Sequence, residues 1–156
     1  MQTTFKDALE ENPMIAAVRH TGDLAGAAKS RAAAIFMLGA NILELEDIIQ
    51  ICRNGGKRLL IHMDLMEGLG HDPYAIRYLK QHFDIDGIIT TRSNLIKYAQ
   101  DAGLFAIQRV FLLDSRALET ALKAAASAGA DAMEVLPGIV PGVIGQLTQS
   151  ARMPII

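Results

Sequence analysis

Polar residues able to hold a small anion or a polyol recur in this chain directly after short apolar runs. Leu59-Leu60-Ile61 leads into His62-Met63-Asp64, with Glu67 close behind, and Ile88-Ile89 leads into Thr90-Thr91-Arg92-Ser93. Ile15-Ala16-Ala17-Val18 leads into Arg19, Phe105-Ala106-Ile107 into Gln108-Arg109, and Ala132-Met133 into Glu134-Val135-Leu136-Pro137-Gly138. The guanidinium groups of Arg19, Arg92 and Arg109 offer forked donors that match phosphate oxygens. The carboxylates of Asp64, Glu67 and Glu134 can accept hydrogen bonds from hydroxyl groups or work as acid and base. Thr90, Thr91, Arg92 and Ser93 gather hydroxyls, backbone N–H groups and a cation at a helix start, which suits an anion. His62 shares strand parity with Asp64, so both belong to one face, and Gly138 lets backbone approach a ligand closely.

Each of these has a plainer structural alternative. Arg19 and Arg109 can pair with Asp64 or Glu134 inside a filled barrel. His62 can be a hydrogen-bonded core side chain, residues 90–93 an ordinary cap cluster, and Gly138 a simple turn. His62, Asp64, Glu67, His71 and Asp72 carry suitable donor atoms for a metal, but their spacing matches no zinc or calcium pattern, so no metal is expected. Neither a Walker loop nor a dinucleotide glycine fingerprint is present, and no cofactor is expected.

The elements that must position these residues alternate regularly. Continuous apolar runs predict buried parallel strands over 14–18, 33–38, 58–63, 87–90, 104–110 and 131–136, with a seventh opening at Met153. Helices are expected over 24–31, 43–53, 73–82, 94–101, 115–128 and 140–150. Asp72-Pro73 places a capping side chain before a proline at the first helical position. Asp114-Ser115 and Ser93-Asn94 offer cap oxygens, and Gly55, Gly103 and Gly129 sit where helices should stop. Strands joined by helices imply right-handed crossovers and a parallel sheet. The fold class is therefore α/β, a small TIM-like (β/α) barrel. Polar groups at the carboxyl ends of such strands converge on one end of the sheet, where these folds bind ligands.

The 156 residues carry a net charge of −2, with 51% hydrophobic and 21% charged side chains, so the chain lacks the general basic excess of a nonspecific nucleic-acid binder. They are read as a single domain over 1–156, incomplete at its C-terminus, because an apolar strand start at 153–156 is a poor place for a domain to finish. A lone cysteine, Cys52, forms no internal disulfide and is expected to be a buried thiol in a reducing compartment. With no signal-peptide core and no apolar run of membrane-spanning length, the expectation is a cytoplasmic protein without a membrane partner. Candidate nucleic-acid cations are Arg53, Lys57 and Arg58, with Arg77 and Lys80 nearby, although aromatic stacking platforms are scarce. The oligomeric state stays open, a homo-oligomer included.

Taken in order, five stretches resemble the glycerol-3-phosphate responsive antiterminators, also called glycerol uptake operon antiterminators. They are Ile15-Ala16-Ala17-Val18-Arg19, His62-Met63-Asp64-Leu65-Met66-Glu67-Gly68, Thr90-Thr91-Arg92-Ser93, the run from Ala106 to Ser115, and the run from Glu134 to Pro141. The resemblance implies a TIM-like barrel, glycerol-3-phosphate as effector, leader mRNA as partner and control of transcription termination in glycerol operons, with no catalytic residues. It also implies a continuation past a proline-led seventh strand, where barrels commonly hold phosphate. The alternative is a phosphosugar-binding barrel enzyme with Asp64 or Glu134 as acid–base groups. Against it, no lysine stands at a strand end: Lys57 precedes its strand.

Overall fold

A computed structural model describes residues 5–113, 115–139 and 141–156, apart from the side chains at 115–118 and 121. Asp114 and Val140, expected as a cap and a helix start, lie outside the described residues. The order is α1 (Phe5–Glu11), β1 (Ile15–Val18), α2 (Leu24–Lys29), β2 (Ala34–Met37), β3 (Ala40–Asn41), α3 (Leu45–Asn54), β4 (Arg58–His62), β5 (Met66–Glu67) and α4 (Pro73–His82). It continues with β6 (Gly87–Thr90), α5 (Ser93–Asp101), β7 (Phe105–Phe111), α6 (Ser115–Ala128), β8 (Ala132–Leu136) and α7 (Pro141–Ser150).

Six strands form one parallel sheet in the order β1-β2-β4-β6-β7-β8. This is the alternating β/α architecture that the apolar runs predict, curled into a half-barrel with helices between its strands. The expected seventh strand has begun: Met133 N–H donates to Pro154 O (2.9 Å), Ile156 N–H to Met133 O (2.8 Å) and Val135 N–H to Ile156 O (3.0 Å). Ile15 of β1 and Ile156 line one groove of about 280 Å³ beside α1.

Strand parity divides the core in two. Ile35, Met37, Leu59, Ile61, Ile88, Ala106, Met133 and Val135 pack outward against Leu45, Ile48, Cys52, Ile76, Leu79, Leu95, Ile96, Ala99 and Leu147. Ala34, Phe36, Leu60, Ile89, Ile107 and Ala132 face the concave interior, which Phe5 of α1 closes from below. The Phe5 ring lies 4.6 Å from that of Phe105 and 6.4 Å from that of Phe36. The sequence reading did not anticipate α1. Cys52 is fully buried, and burial pushes its thiol up to about 11, as expected of an unreactive core side chain.

At the amino ends of the strands one device is used twice. Asp86, just before β6, accepts from the Leu59 N–H of β4 at 2.7 Å and from Arg53 and Arg58, each at 3.0 Å. Asp131, just before β8, accepts from the Ala106 N–H of β7 at 2.8 Å and from Gln100 at 2.5 Å. Each carboxylate fixes the register of a neighbouring strand. Asp72 caps α4 as predicted, accepting from Tyr74 N–H and Ala75 N–H at 2.9 Å each. No helix among the described residues is long and apolar enough to cross a membrane.

Gly87 opens β6 because nothing larger fits. A Cβ there would lie 2.2 Å from the Phe105 carbonyl oxygen on the adjoining strand. Gly87→Ala is expected to cost about 1–3 kcal/mol through overpacking, read as a lower urea midpoint with an unchanged slope. An unchanged midpoint would show that the two strands can part without cost.

Candidate functional site

The inward parity that buries Leu60, Ile89, Ile107 and Ala132 changes character one step further along each strand. Two residues beyond these, the inward positions carry His62 on β4, Arg109 on β7 and Glu134 on β8, with Thr91 just past the end of β6. Arg109 and Glu134 are register partners on adjoining strands. Their fork is bidentate, with Nε–H donating to Oε2 at 2.5 Å and Nη2–H to Oε1 at 3.0 Å, and both side chains are about nine-tenths buried. Charges can stay in such an interior only when paired this closely. His62 lies beside them, 3% exposed, and its Nδ1 has no hydrogen-bond partner among the described residues. Burial and the Arg109 charge together lower its pKa, outweighing Asp64 and Glu134, so the imidazole is neutral near pH 7.

Asp64 stands in the single turn after β4, where its carboxylate is saturated. Oδ1 accepts from Thr90 Oγ1 (3.0 Å) and Arg92 Nε (3.2 Å), and Oδ2 from Thr91 N–H (2.7 Å) and Thr91 Oγ1 (2.9 Å). Burial pushes this carboxyl up, but the bonds from Thr91 and Thr90 prevail and hold it below the ordinary carboxylate range. The anion-binding helix start expected at residues 90–93 thus already has an anion, the chain's own Asp64. Ser93 is the first residue of α5 rather than its cap; Thr90 Oγ1 instead accepts from the Arg92 N–H at 3.1 Å.

Arg19 does not pair with Asp64. It follows β1 as an exposed cation with no ion pair among the described residues, in a depression of about 510 Å³ shared with Glu67. Asn41 and Glu44 form another wall, which the sequence reading missed. Glu44 accepts from Asn41 N–H (3.1 Å), Asn41 Nδ2 (2.7 Å) and Thr21 Oγ1 (3.2 Å). The signal was legible as a capping box, Asn41-x-x-Glu44. Glu67 lies on β5, which pairs with β3 and so brings this wall beside the mouth.

Two other candidates sit apart from the interior. Gln108 has the outward parity, and its Nε2 donates to the Thr91 carbonyl at 2.7 Å while its Oε1 is buried without a partner among the described residues. Gly138 lies in the turn after the cis Leu136–Pro137 bond, where an added Cβ would meet only open space. Among the described residues no three His, Cys, Asp or Glu side chains gather as metal ligands. Arg53, Lys57 and Arg58 are engaged within the chain: Arg53 and Arg58 hold Asp86, and Lys57 donates to Ser30 O and Ala32 O at 2.7 Å each.

Parallel strands, inward layers and polar groups at the carboxyl-end mouth place the molecule in the TIM-barrel class. The orotidine 5′-monophosphate decarboxylase of Methanocaldococcus jannaschii shares this fold, with TM-score 0.62 and 16% identity over 91% of this chain and 78% of that one. More specifically, the chain belongs to the glycerol-3-phosphate responsive antiterminators, whose family model matches residues 14–156. It is 33% identical to the glycerol uptake operon antiterminator regulatory protein of Listeria monocytogenes, with TM-score 0.85 over 92% of this chain and 78% of that one. A glycerol uptake operon antiterminator-related protein of Thermotoga maritima is 32% identical, with TM-score 0.75 over 86% and 76%. The Escherichia coli protein YgcP is 37% identical over 148 residues, 95% of this chain and 78% of that protein.

The depressed pKa of Asp64 makes its contribution to stability pH-dependent. That contribution is present in full above the unfolded carboxyl pKa and is lost as pH falls through the lower folded value. Asp64→Asn should therefore unfold more readily than wild type at pH 7, by about 1–3 kcal/mol. The difference should narrow below about pH 4. Parallel stability curves across that range would show that the carboxylate is not held by these bonds.

Proposed function

We propose that the chain is a ligand-controlled regulator that takes glycerol-3-phosphate at the barrel mouth and acts on the leader mRNA of glycerol-utilisation operons. The observation that carries this reading is the mouth itself: a closed Arg109–Glu134 pair with the neutral, buried His62 beside it and the exposed Arg19, which makes no ion pair among the described residues, at the end of β1. Such a surface recognises hydroxyl groups by hydrogen bonding and needs no proton transfer. Glycerol hydroxyls would meet His62 and Glu134, while Arg19, which has no carboxylate partner among the described residues, is the cation offered to the phosphate. Asp64 suits a binding site better than acid catalysis, since a carboxyl held below its ordinary range is a poor proton donor.

Titration calorimetry with glycerol-3-phosphate should give saturable binding. Arg19→Ala should weaken it about tenfold or more, the worth of one charge-assisted contact. Glycerol with inorganic phosphate should not substitute for the ester. Retention on a glycerol-operon leader RNA, against a scrambled control and with and without the effector, tests the second half. Absence of both the heat and the RNA preference would overturn the reading.

A further inference from the structure

We infer that the outer face formed by α4 and α5 is the surface that contacts single-stranded RNA, an assignment that rests on the regulatory reading above. The chain has only three tyrosines, and all three lie on these two helices: Tyr74 and Tyr78 on α4, Tyr98 on α5. Tyr74 is 75% exposed, far more than a side chain placed for packing. The same helices carry Arg77, Lys80 and Lys97, which make no ion pair among the described residues; Lys80 reaches only the Gly103 carbonyl, at 3.4 Å.

Helical spacing sorts these groups into one surface. Tyr74, Arg77 and Gln81 stand three and four residues apart along the crest of α4. Arg77 and Lys80 border a groove of about 530 Å³, with Tyr98 of α5 and Ala102 just after that helix opposite and Asp101 at its edge. Arg77, Lys80 and Lys97, without an ion pair among the described residues, outnumber the carboxylates Asp72 and Asp101 at the ends of these helices and give the face a positive character within a chain of net charge −2. Cations that track phosphates, interleaved with exposed rings on which bases stack, are the chemistry of single-strand recognition. The exposed ring of Tyr74 beside these cations is what favours RNA over an acidic polypeptide, since bases can stack on it. The other cations suggested by the sequence, Arg53, Lys57 and Arg58, are held inside the chain at the amino ends of the strands.

The test is a fluorescence-anisotropy titration of the wild-type chain and variants on a glycerol-operon leader RNA across a salt series. The triple variant Arg77→Ala, Lys80→Ala, Lys97→Ala should lower the slope of log K against log salt by about 2, from roughly 0.7 per phosphate contact. Tyr74→Ala, at an exposed position, should weaken binding by about 5-fold or more through lost stacking. Both variants should bind glycerol-3-phosphate like wild type, which excludes misfolding as the cause. Wild-type affinity and slope in both variants would overturn the assignment while leaving the regulatory reading intact. Displacement of the RNA by poly-glutamate at matched charge concentration would assign the face to an acidic protein and overturn it too. A wild-type chain with no RNA affinity would sink the regulatory reading itself, and this face with it.

Discussion

Arg109 and Glu134 face each other across adjoining strands, inside a barrel whose lower layers are hydrocarbon. Every other feature of the mouth depends on that pairing. A guanidinium or a carboxylate placed there alone would have to be stripped of water without compensation. Placed together, in register and bidentate, they let the interior pass from apolar to polar within one strand repeat. That passage is what allows His62 to sit buried and neutral beside the pair. It also sets the electrostatics of the cup, since the pair is closed on itself and offers hydrogen-bonding atoms rather than net charge.

The same economy governs the neighbouring strand ends. Thr90, Thr91 and Arg92 look like an anion cradle because they place hydroxyls, a backbone amide and a cation at one helix start. Asp64 fills that cradle from the preceding crossover, with four hydrogen bonds to one carboxylate. A phosphate arriving there would meet a negative charge already in place. Arg19 has no such internal counter-ion among the described residues, which is why the two arginines, alike in sequence context, differ in what they can do.

Much of this was legible in the residues, and the limits have physical causes. Continuous apolar runs mark buried parallel strands reliably, because burial on both faces leaves little choice of side chain. All six strands accordingly stand within one or two residues of their expected bounds. The helix α1 was not anticipated because its seven residues carry only Phe5 and Leu9 on one face. What stabilises it is the contact of Phe5 with Phe36 and Phe105, which no local pattern encodes. Gln108 and Arg109 were both candidates for the site, yet adjacent strand residues point to opposite faces. Parity alone could have separated them, whereas the choice of Arg92 as the partner of Asp64 required the strand order. The paired use of Asp86 and Asp131 was visible only as a faint likeness between Ile85-Asp86-Gly87 and Ala130-Asp131-Ala132.

The helix α5 joins the two ends of the functional reading. It begins at Ser93, directly after the segment that Asp64 holds, and four and five residues later it carries its crest cation Lys97 and its groove ring Tyr98. A ligand hydroxyl that accepts from Thr91 or draws Arg92 away must compete with Asp64 at the first turn of this helix. An α-helix is stiff along its axis, and its buried face, Leu95, Ile96 and Ala99, is packed against the sheet without slack. A displacement at the first turn is therefore shared by the turns beyond it rather than absorbed locally. Differential binding to two positions of one helix is all that linkage requires for an effector at the mouth to change affinity on the outer face.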